Sequence, residues 1–582
     1  MKLNKIENLV LALEAEADSE FGNQARYKAI DLNGATIQEL SAVEWKRKAL
    51  ALASKLSDVA SPGDRVLLPT LGGLDFHIAF LGCAYAGLVA VPVPNPSMGT
   101  GQTKATGRIA ERIKSICRDC APKAVVMDGN NLHLFKDYDV VAVDVCQSES
   151  RSAWEPPGLA FDSETVLLIQ YTSGSTSEPR GTVITHANWL INRRDASERG
   201  DIGRDTTIVT WLPLFHDMGI GNGLVLPLVC GASLSIMEPR VFVRSPLTWL
   251  KEIEKYSDVF NAAPDFAFHM CVDRTTEEQR SRLDLTGWRT AVNGSEPVRV
   301  ETIDRFVKAF ECSGLRRETM RPGYGLAECT LGVTMAAAQT PVIFRSFDRA
   351  SLAKGKAIPI ETESNGVKLV GCGTACGEIN LAIVDPDSSL ELAPNEVGEI
   401  WVDSPSNSSG YWSGVAHKDE SPFGAVPIGR NSNRKFVRTG DLGFVDEEGE
   451  LFITGRRKDV LIIGGENFFP QDAESAARSS HPAFTGRACS AWTTDFDSAR
   501  STLVVVMETT ERDAEVLKEA TRAVGISVGA IIPTKVVTIA VPLYSIPRTT
   551  SGKIRRRDCA KQVSSGELEI LSSWGETNAT YV

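Results

Sequence analysis

TVLLIQYTSGSTSEPRG, residues 165–181, joins an uncharged apolar run of strand length to a loop dense in hydroxyls and glycine. Gly174 lets a backbone approach a phosphate closely. Thr172, Ser173, Ser175 and Thr176 offer hydroxyl and N–H donors in the concave arrangement that anions favour, and Arg180 adds a cation. A solvated Ser/Thr linker has a similar composition, but a linker does not follow directly on a buried strand or end in Pro-Arg-Gly. No GxxxxGK[ST] occurs in the chain, so a nucleotide-kinase P-loop is disfavoured.

Outward from this loop, short β-rich runs alternate with amphipathic stretches: RVLLP, a helix near Phe76 to Ala86, LVAVPV, GRIAERIKSICRDC, AVVMD, VVAV, HANWLINRRDA, TIVTWLP and SLSIM. This order predicts an α/β fold whose mostly parallel sheets are layered between helices. After about residue 366 the texture changes to short strands and tight turns (EINLAIVD, GEIWVDSP, DEEG, GELFITG), a small β-rich unit reaching about 457. From 458 to 582 a helix EVLKEATRAVG and a strand TKVVTIAV suggest a smaller α+β domain.

The chain has 582 residues, 62 Lys+Arg against 74 Asp+Glu and a net charge of −12, which argues against a protein that coats nucleic acid. A hydrophobic content of 42% and a mean hydropathy of −0.10 describe a soluble globular protein. Scattered cysteines and an acidic N-terminus fit a reducing, cytoplasmic setting. The apolar run 76–96 has the length of a membrane span, but Gly82, Gly87, Pro92 and Pro94 interrupt it, so a buried helix turning into a strand is expected. Gly525, Ser527 and Gly529 match GxSxG, yet they follow a helix where a nucleophile elbow needs a preceding strand. Cys117, Cys120, Cys372 and Cys376 show no zinc-like spacing with histidine, and buried thiols are expected.

The loop and the segments WLPLFHDMG (211–219), NGSEP (293–297), GYGLAECTL (323–331), RTGDLG (438–443), GRRKDVLIIGG (455–465) and PRTTSGKIRRR (547–557) resemble, in type and order, those of the adenylate-forming superfamily: acyl-CoA synthetases, luciferases and peptide-synthetase adenylation domains. The resemblance runs from about Asp64 to Arg557, with Arg180 standing where the family usually has Lys. It implies a large N-terminal domain, 1–457, and a mobile C-terminal domain, 458–582, hinged at Lys458. It implies further that ATP/AMP is held by Thr172, Ser173, Gly174, Ser175, Thr176, Gly294, Ser295, Glu296, Pro297, Tyr324, Gly325, Asp441 and Arg456. Tyr324 would stack on adenine, while Asp441 and Arg456 would meet the ribose. Glu328 would hold Mg²⁺, for which one carboxylate with phosphate oxygens suffices. His216 would lie near the acyl pocket and the phosphoryl centre, and Lys553 would neutralise charge during adenylyl transfer. Each has a plainer reading alone: a satisfied core histidine, a packed tyrosine, a surface acid, a turn aspartate, a solvated basic tail.

Two segments resemble the fatty acyl-AMP ligases within that superfamily: an insertion of about 341–370 leading to Cys372-Gly373, and GGENFFPQDAE at 464–474, in which Glu466 replaces the usual Arg. That branch implies a fatty acid activated with ATP and Mg²⁺, an insertion that restrains domain rotation and disfavours free CoA, and transfer to the phosphopantetheine of a separate holo acyl carrier protein. An acyl-CoA synthetase and a catalytically silent nucleotide-binding sensor stay open as alternatives.

Overall fold

The computed structural model of the chain describes residues 6–96, 104–129, 131–136, 138–145, 154–172, 179–361, 366–412, 421–429, 434–463, 466–494, 502–549 and 553–575. Two large sheets have parallel centres. In the nine-stranded sheet, Met320–Gly325, Trp288–Gly294, Val259–Pro264, Thr207–Thr210, Ser233–Met237 and Tyr27–Ile30 are successive parallel neighbours. In the seven-stranded sheet the parallel set is Val166–Thr172, Val89–Val93, Arg65–Pro69, Ala124–Met127 and Val141–Asp144. Strands such as Val89–Val93 and Ala124–Met127 are buried along their whole length, as β-branched and apolar runs covered on both faces should be. Antiparallel strands complete the edges, Thr36–Leu40, Gly332–Met335 and Thr374–Ala375 in the first sheet, Arg180–Thr185 and Tyr411–Trp412 in the second.

The 165–181 stretch begins as expected and then folds back. Val166–Thr172 pairs antiparallel with Arg180–Thr185. The hydroxyl-rich residues 173–178, and with them Ser173, Gly174, Ser175 and Thr176, lie outside the described residues. Thr185 then starts the helix His186–Gly200: its side chain accepts the Asn188 N–H while the Asn188 side chain accepts the Thr185 N–H, a reciprocal cap.

Residues 76–96 resolve into the buried helix Asp75–Tyr85 and the strand Val89–Val93, joined through Gly87 at φ +70°. Among the described residues no helix is long and apolar enough to cross a membrane. The β-rich unit is a four-stranded antiparallel sheet of Asn380–Val384, Gly398–Asp403, Val437–Val445 and Leu451–Arg456. Gly366–Val370 pairs instead with Phe344–Asp348 in a separate hairpin, which seats Phe347 against Phe444 and Phe452 at 5.0 and 5.4 Å.

Toward the C-terminus, Cys489–Thr493, Thr502–Thr509, Lys535–Pro542 and Ser572–Trp574 form one sheet. Helices Pro470–Ser480 and Ala514–Ile531 pack on one face through Ala473, Ala477, Leu517 and Val524, and Arg556–Ser564 packs on the other through Cys559 and Val563. One expectation needs refinement here. Gly525, Ser527 and Gly529 lie inside the helix Ala514–Ile531 rather than after it; Gly525 is small because a Cβ there would meet the Trp574 ring at 2.0 Å. Cys117 and Cys120 ride the helix Lys104–Cys120, and among the described residues no group of three or more His, Cys, Asp or Glu is placed to hold a metal.

Candidate active site

Parallel strands point their carboxyl ends the same way, and ligands of open α/β sheets sit in the crevice beyond those ends. Thr172, Gly294 and Gly325 are the last residues of their strands, and His216 follows shortly after Thr207–Thr210. With Ser295, Glu296, Pro297, Tyr324, Glu328, Asp441, Arg456, Lys458 and Lys553 they line one cleft of about 2050 Å³. Gly325 is required by space: a Cβ would lie 1.8 Å from the Leu331 carbonyl oxygen.

One end of the cleft is a hydrogen-bonded network. Gly440 takes φ +72°, which a side chain resists, and the Asp441 N–H donates to Thr439 Oγ1 at 3.1 Å, so the turn aims the Asp441 carboxylate. That carboxylate is buried and accepts from the Tyr324 hydroxyl at 2.8 Å and from Arg456 Nε at 2.8 Å. The Asp441 charge holds the Arg456 guanidinium above its usual range, and burial pushes the Tyr324 hydroxyl up, so Arg456 and Tyr324 keep their protons across ordinary pH. Ser295, at φ +70°, bears backbone strain of the kind that gathers at functional sites. Glu296 is committed elsewhere: its Oε1 accepts the Phe266 N–H at 2.7 Å, in the first turn of the helix Asp265–Asp273, where an acid complements the helix dipole.

Glu328 stands in a short turn after Met320–Gly325 and accepts from the Tyr411 hydroxyl at 2.7 Å. The Arg180 guanidinium sits over the Tyr411 ring, 5.5 Å from its centroid. Tyr411 comes from the edge strand paired with Arg180–Thr185, so the strand that follows the hydroxyl-rich loop also positions the acid.

At the other end charges converge from distant parts of the chain. His216 precedes the helix Asp217–Ile220, which continues as the single π turn Gly221–Val225, a distortion frequent at functional sites. Burial, with Arg112 and Lys553 adding repulsion, pushes the His216 imidazole down to about 3, so it is neutral at physiological pH. Burial lowers the Lys553 ammonium, Asp217 draws it back up, Arg456 lowers it further, and Glu296 and Asp441 raise it. The same burial raises the Asp217 carboxyl while Lys553 lowers it. Lys553 thus sits among groups from four separate motifs.

Its hairpin is fixed on both sides. Before it, Glu508 accepts from Ile546 N at 3.0 Å and from Arg548 Nη2 at 2.8 Å. After it, Arg556 forks onto Glu474 at 2.7 and 2.9 Å and reaches Asp459 at 3.3 Å, next to the exposed Lys458. The stretch 341–370 touches the same region: Arg349 pairs with Asp472 at 3.7 Å, and Lys354 pairs with Glu466 at 3.6 Å. An apolar wall completes the cleft, with Trp211 stacked on Phe242 at 4.0 Å and flanked by Phe266, beside Met218 and Met270.

Sequence reasoning missed Asp217, although it lies within WLPLFHDMG, and Tyr411, which no local pattern marks.

Residues 21–412 match the family model described as "AMP-binding enzyme". The chain is 35% identical to the medium-chain-fatty-acid–[acyl-carrier-protein] ligase JamA of Moorena producens, over 92% of this chain and 91% of the relative. It is 33% identical to the long-chain-fatty-acid–AMP ligase FadD26 of Mycobacterium marinum, over 90% and 91%. The solved structure of the fatty acyl-adenylate ligase from L. pneumophila in complex with acyl adenylate and pyrophosphate superposes with a TM-score of 0.75 at 31% identity, covering 99% of both chains.

Proposed function

Because the chain belongs to the AMP-binding enzymes and is, within them, a fatty acyl-AMP ligase, we propose that it makes its acyl adenylate in this cleft and hands the acyl group to the phosphopantetheine thiol of a separate acyl carrier protein. A carboxylate oxygen of the fatty acid attacks the α-phosphorus of ATP, the bond to the bridging oxygen breaks, and pyrophosphate leaves with the electron pair. No covalent enzyme intermediate is needed, so catalysis rests on positioning and charge neutralisation.

In this reading Tyr324 covers adenine, with Gly294 to Pro297 and Gly325 along its edge, while Asp441 and Arg456 take the ribose hydroxyls. Thr172, with Ser173, Gly174, Ser175 and Thr176, receives the phosphates. The half-buried Lys553 ammonium neutralises charge building on the α-phosphate and carboxylate, and a cation partly withdrawn from water counts for more than a solvated one. A neutral His216 beside the apolar wall orients the carboxylate without competing for it as a cation. Glu328 fits Mg²⁺, because one of its oxygens is steadied by Tyr411 and an ion that keeps waters and phosphate oxygens needs few protein ligands. When bound, Mg²⁺ supplies charge neutralisation on the leaving phosphates. The chain from 458 to 582 would then rotate about Lys458 to bring in the acceptor thiol.

The observation that carries the proposal is the meeting of Lys553 with Asp217, Glu296 and Asp441 at one cleft. Its test is hydroxylamine trapping of the acyl adenylate, followed by thioester assays with holo carrier protein and with CoA. The expected result is fatty-acid-dependent hydroxamate and acyl carrier protein, with little acyl-CoA. Robust acyl-CoA would make the protein a synthetase, and no Lys553-dependent adenylate would make it a sensor.

A further inference from the structure

The parallel strands Val259–Pro264 and Trp288–Gly294 end level, with Pro264 opposite Gly294. Beyond the first, Asp265 opens the helix Asp265–Asp273; beyond the second, residues 295–299 form a turn that lines the cleft and leads into the helix Val300–Phe310. Asp265 is fully buried, and one of its oxygens spans that turn. Oδ1 accepts from Asn293 Nδ2 at 2.9 Å, ahead of the turn, and from the Arg299 N–H at 3.3 Å, at its end. Arg299 is the N-cap of its helix and makes no side-chain cap bond, so an acid from the neighbouring helix satisfies a donor left open there. Between these two points the Phe266 N–H donates to Glu296 Oε1 at 2.7 Å. The start of one helix thus grips the turn at three places.

The far side of Asp265 is closed. Its Oδ2 accepts from Thr302 Oγ1 at 2.7 Å, and the Arg299 guanidinium stands 3.6 Å away. Thr302 gives its hydroxyl proton to Asp265, so His269, whose Nε2 lies 2.7 Å from the same hydroxyl oxygen, donates to it. Burial pushes His269 down to about 4, which keeps the ring neutral and leaves Nδ1 an acceptor facing Arg305 Nη1 at 3.5 Å. A fully buried carboxylate is costly unless its lone pairs are used, and two of the three hydrogen bonds that use them bracket one cleft-lining turn. That turn needs holding. Ser295 sits at φ +70°, a conformation a serine keeps only where its surroundings over-determine it. Among the described residues Asn293 Oδ1 is buried without a partner, so the bond to Asp265 is what fixes that side chain.

We propose that Asp265 is the positioning residue for nucleobase selection: by bracketing residues 294–298 it holds their backbone in the one shape that tells adenine from another purine. The inference rests on the reading above, in which Gly294 to Pro297 run along the adenine edge. Asp265 does not itself line the cleft, so it acts through the turn and not on the nucleotide. Adenine and hypoxanthine share an outline and differ at position 6, an amino donor against an oxo acceptor, so fixed polar groups are what separate them.

A purely stabilising buried acid is the rival, and Thr302 is its control, since T302V removes the far-side bond and leaves both grips of Oδ1 on the turn. Acyl hydroxamate formation is measured at varied ATP and at varied ITP for the wild type, D265A, N293A and T302V, with thermal unfolding alongside. D265A is expected to raise the KM for ATP about tenfold, leave kcat within about twofold, and shrink the ATP-over-ITP ratio of kcat/KM about tenfold. N293A, which keeps the acid and breaks one grip, should shrink that ratio about threefold, and it decides the matter if D265A does not fold. T302V should lower the unfolding temperature yet keep the ratio within about twofold. The inference is overturned by a wild type that uses ATP and ITP alike, by an unchanged ratio in folded D265A, by an unchanged ratio in N293A where D265A does not fold, or by a T302V ratio that falls as far as that of D265A. A wild type that makes no fatty-acid-dependent hydroxamate would overturn the underlying reaction instead.

Discussion

The two ends of the cleft are built differently. At the ribose end, Tyr324, Asp441 and Arg456 are already joined by hydrogen bonds of 2.8 Å, Tyr324 from the nine-stranded sheet and Asp441 and Arg456 from paired strands of the four-stranded one. At the phosphoryl end, Lys553 and Arg555 arrive from beyond residue 458 at the cleft that His216 and Asp217 also line. On the function proposed above, recognition would be preorganised in the larger part of the chain, whereas the charge for the chemistry would be delivered by a hairpin that a rotation would withdraw.

The sharpest way to break this contrast is Lys553→Ala. Adenylate formation should fall by about 10²–10³, the cost typical of losing one preorganised electrostatic group, with AMP affinity nearly unchanged. A comparable loss of AMP binding would erase the distinction between the two ends. Asp441→Asn comes next: it weakens the acceptor for both Tyr324 and Arg456, and the KM for ATP should rise about 10- to 100-fold while the rate at saturating ATP falls less. Tyr411→Phe tests whether Glu328 needs its steadying donor. The Mg²⁺ concentration for half-maximal rate should rise roughly two- to fivefold, since one neutral hydrogen bond is at stake.

The smallest effect concerns docking of the C-terminal region. Burial raises Asp472 to about 6, with Arg349 opposing. An acid whose folded pKa lies above its unfolded value loses stability as pH climbs from about 4 through 6. Asp472→Asn should therefore stabilise the protein by roughly 1–3 kcal/mol at pH 7–8, and the gain should vanish near pH 4. Denaturant titrations at both pH values measure it, and a loss at pH 7 would mean that the pair with Arg349 outweighs desolvation.

Much of this was legible in the residues. The α/β alternation is carried by apolar periodicity, which the sheets reproduce, and ordered motifs needed only strand ends to bring them together. What escaped depended on long-range placement. Tyr411 stands on a two-residue edge strand with no periodic signal, and it matters because that edge runs beside Arg180–Thr185. Asp217 reads as helix-start chemistry until Lys553 approaches it. The GxSxG string reads as following a helix, whereas in the fold it lies inside one, where Gly525 gives the Trp574 ring room.

The most direct test of the account is exchange of labelled pyrophosphate into ATP by the wild-type protein, with and without a fatty acid and with and without CoA. The account expects exchange that requires the fatty acid and is indifferent to CoA, because the adenylate forms reversibly before any thiol is engaged. Exchange that proceeds without a fatty acid, or that appears only with CoA, would contradict it.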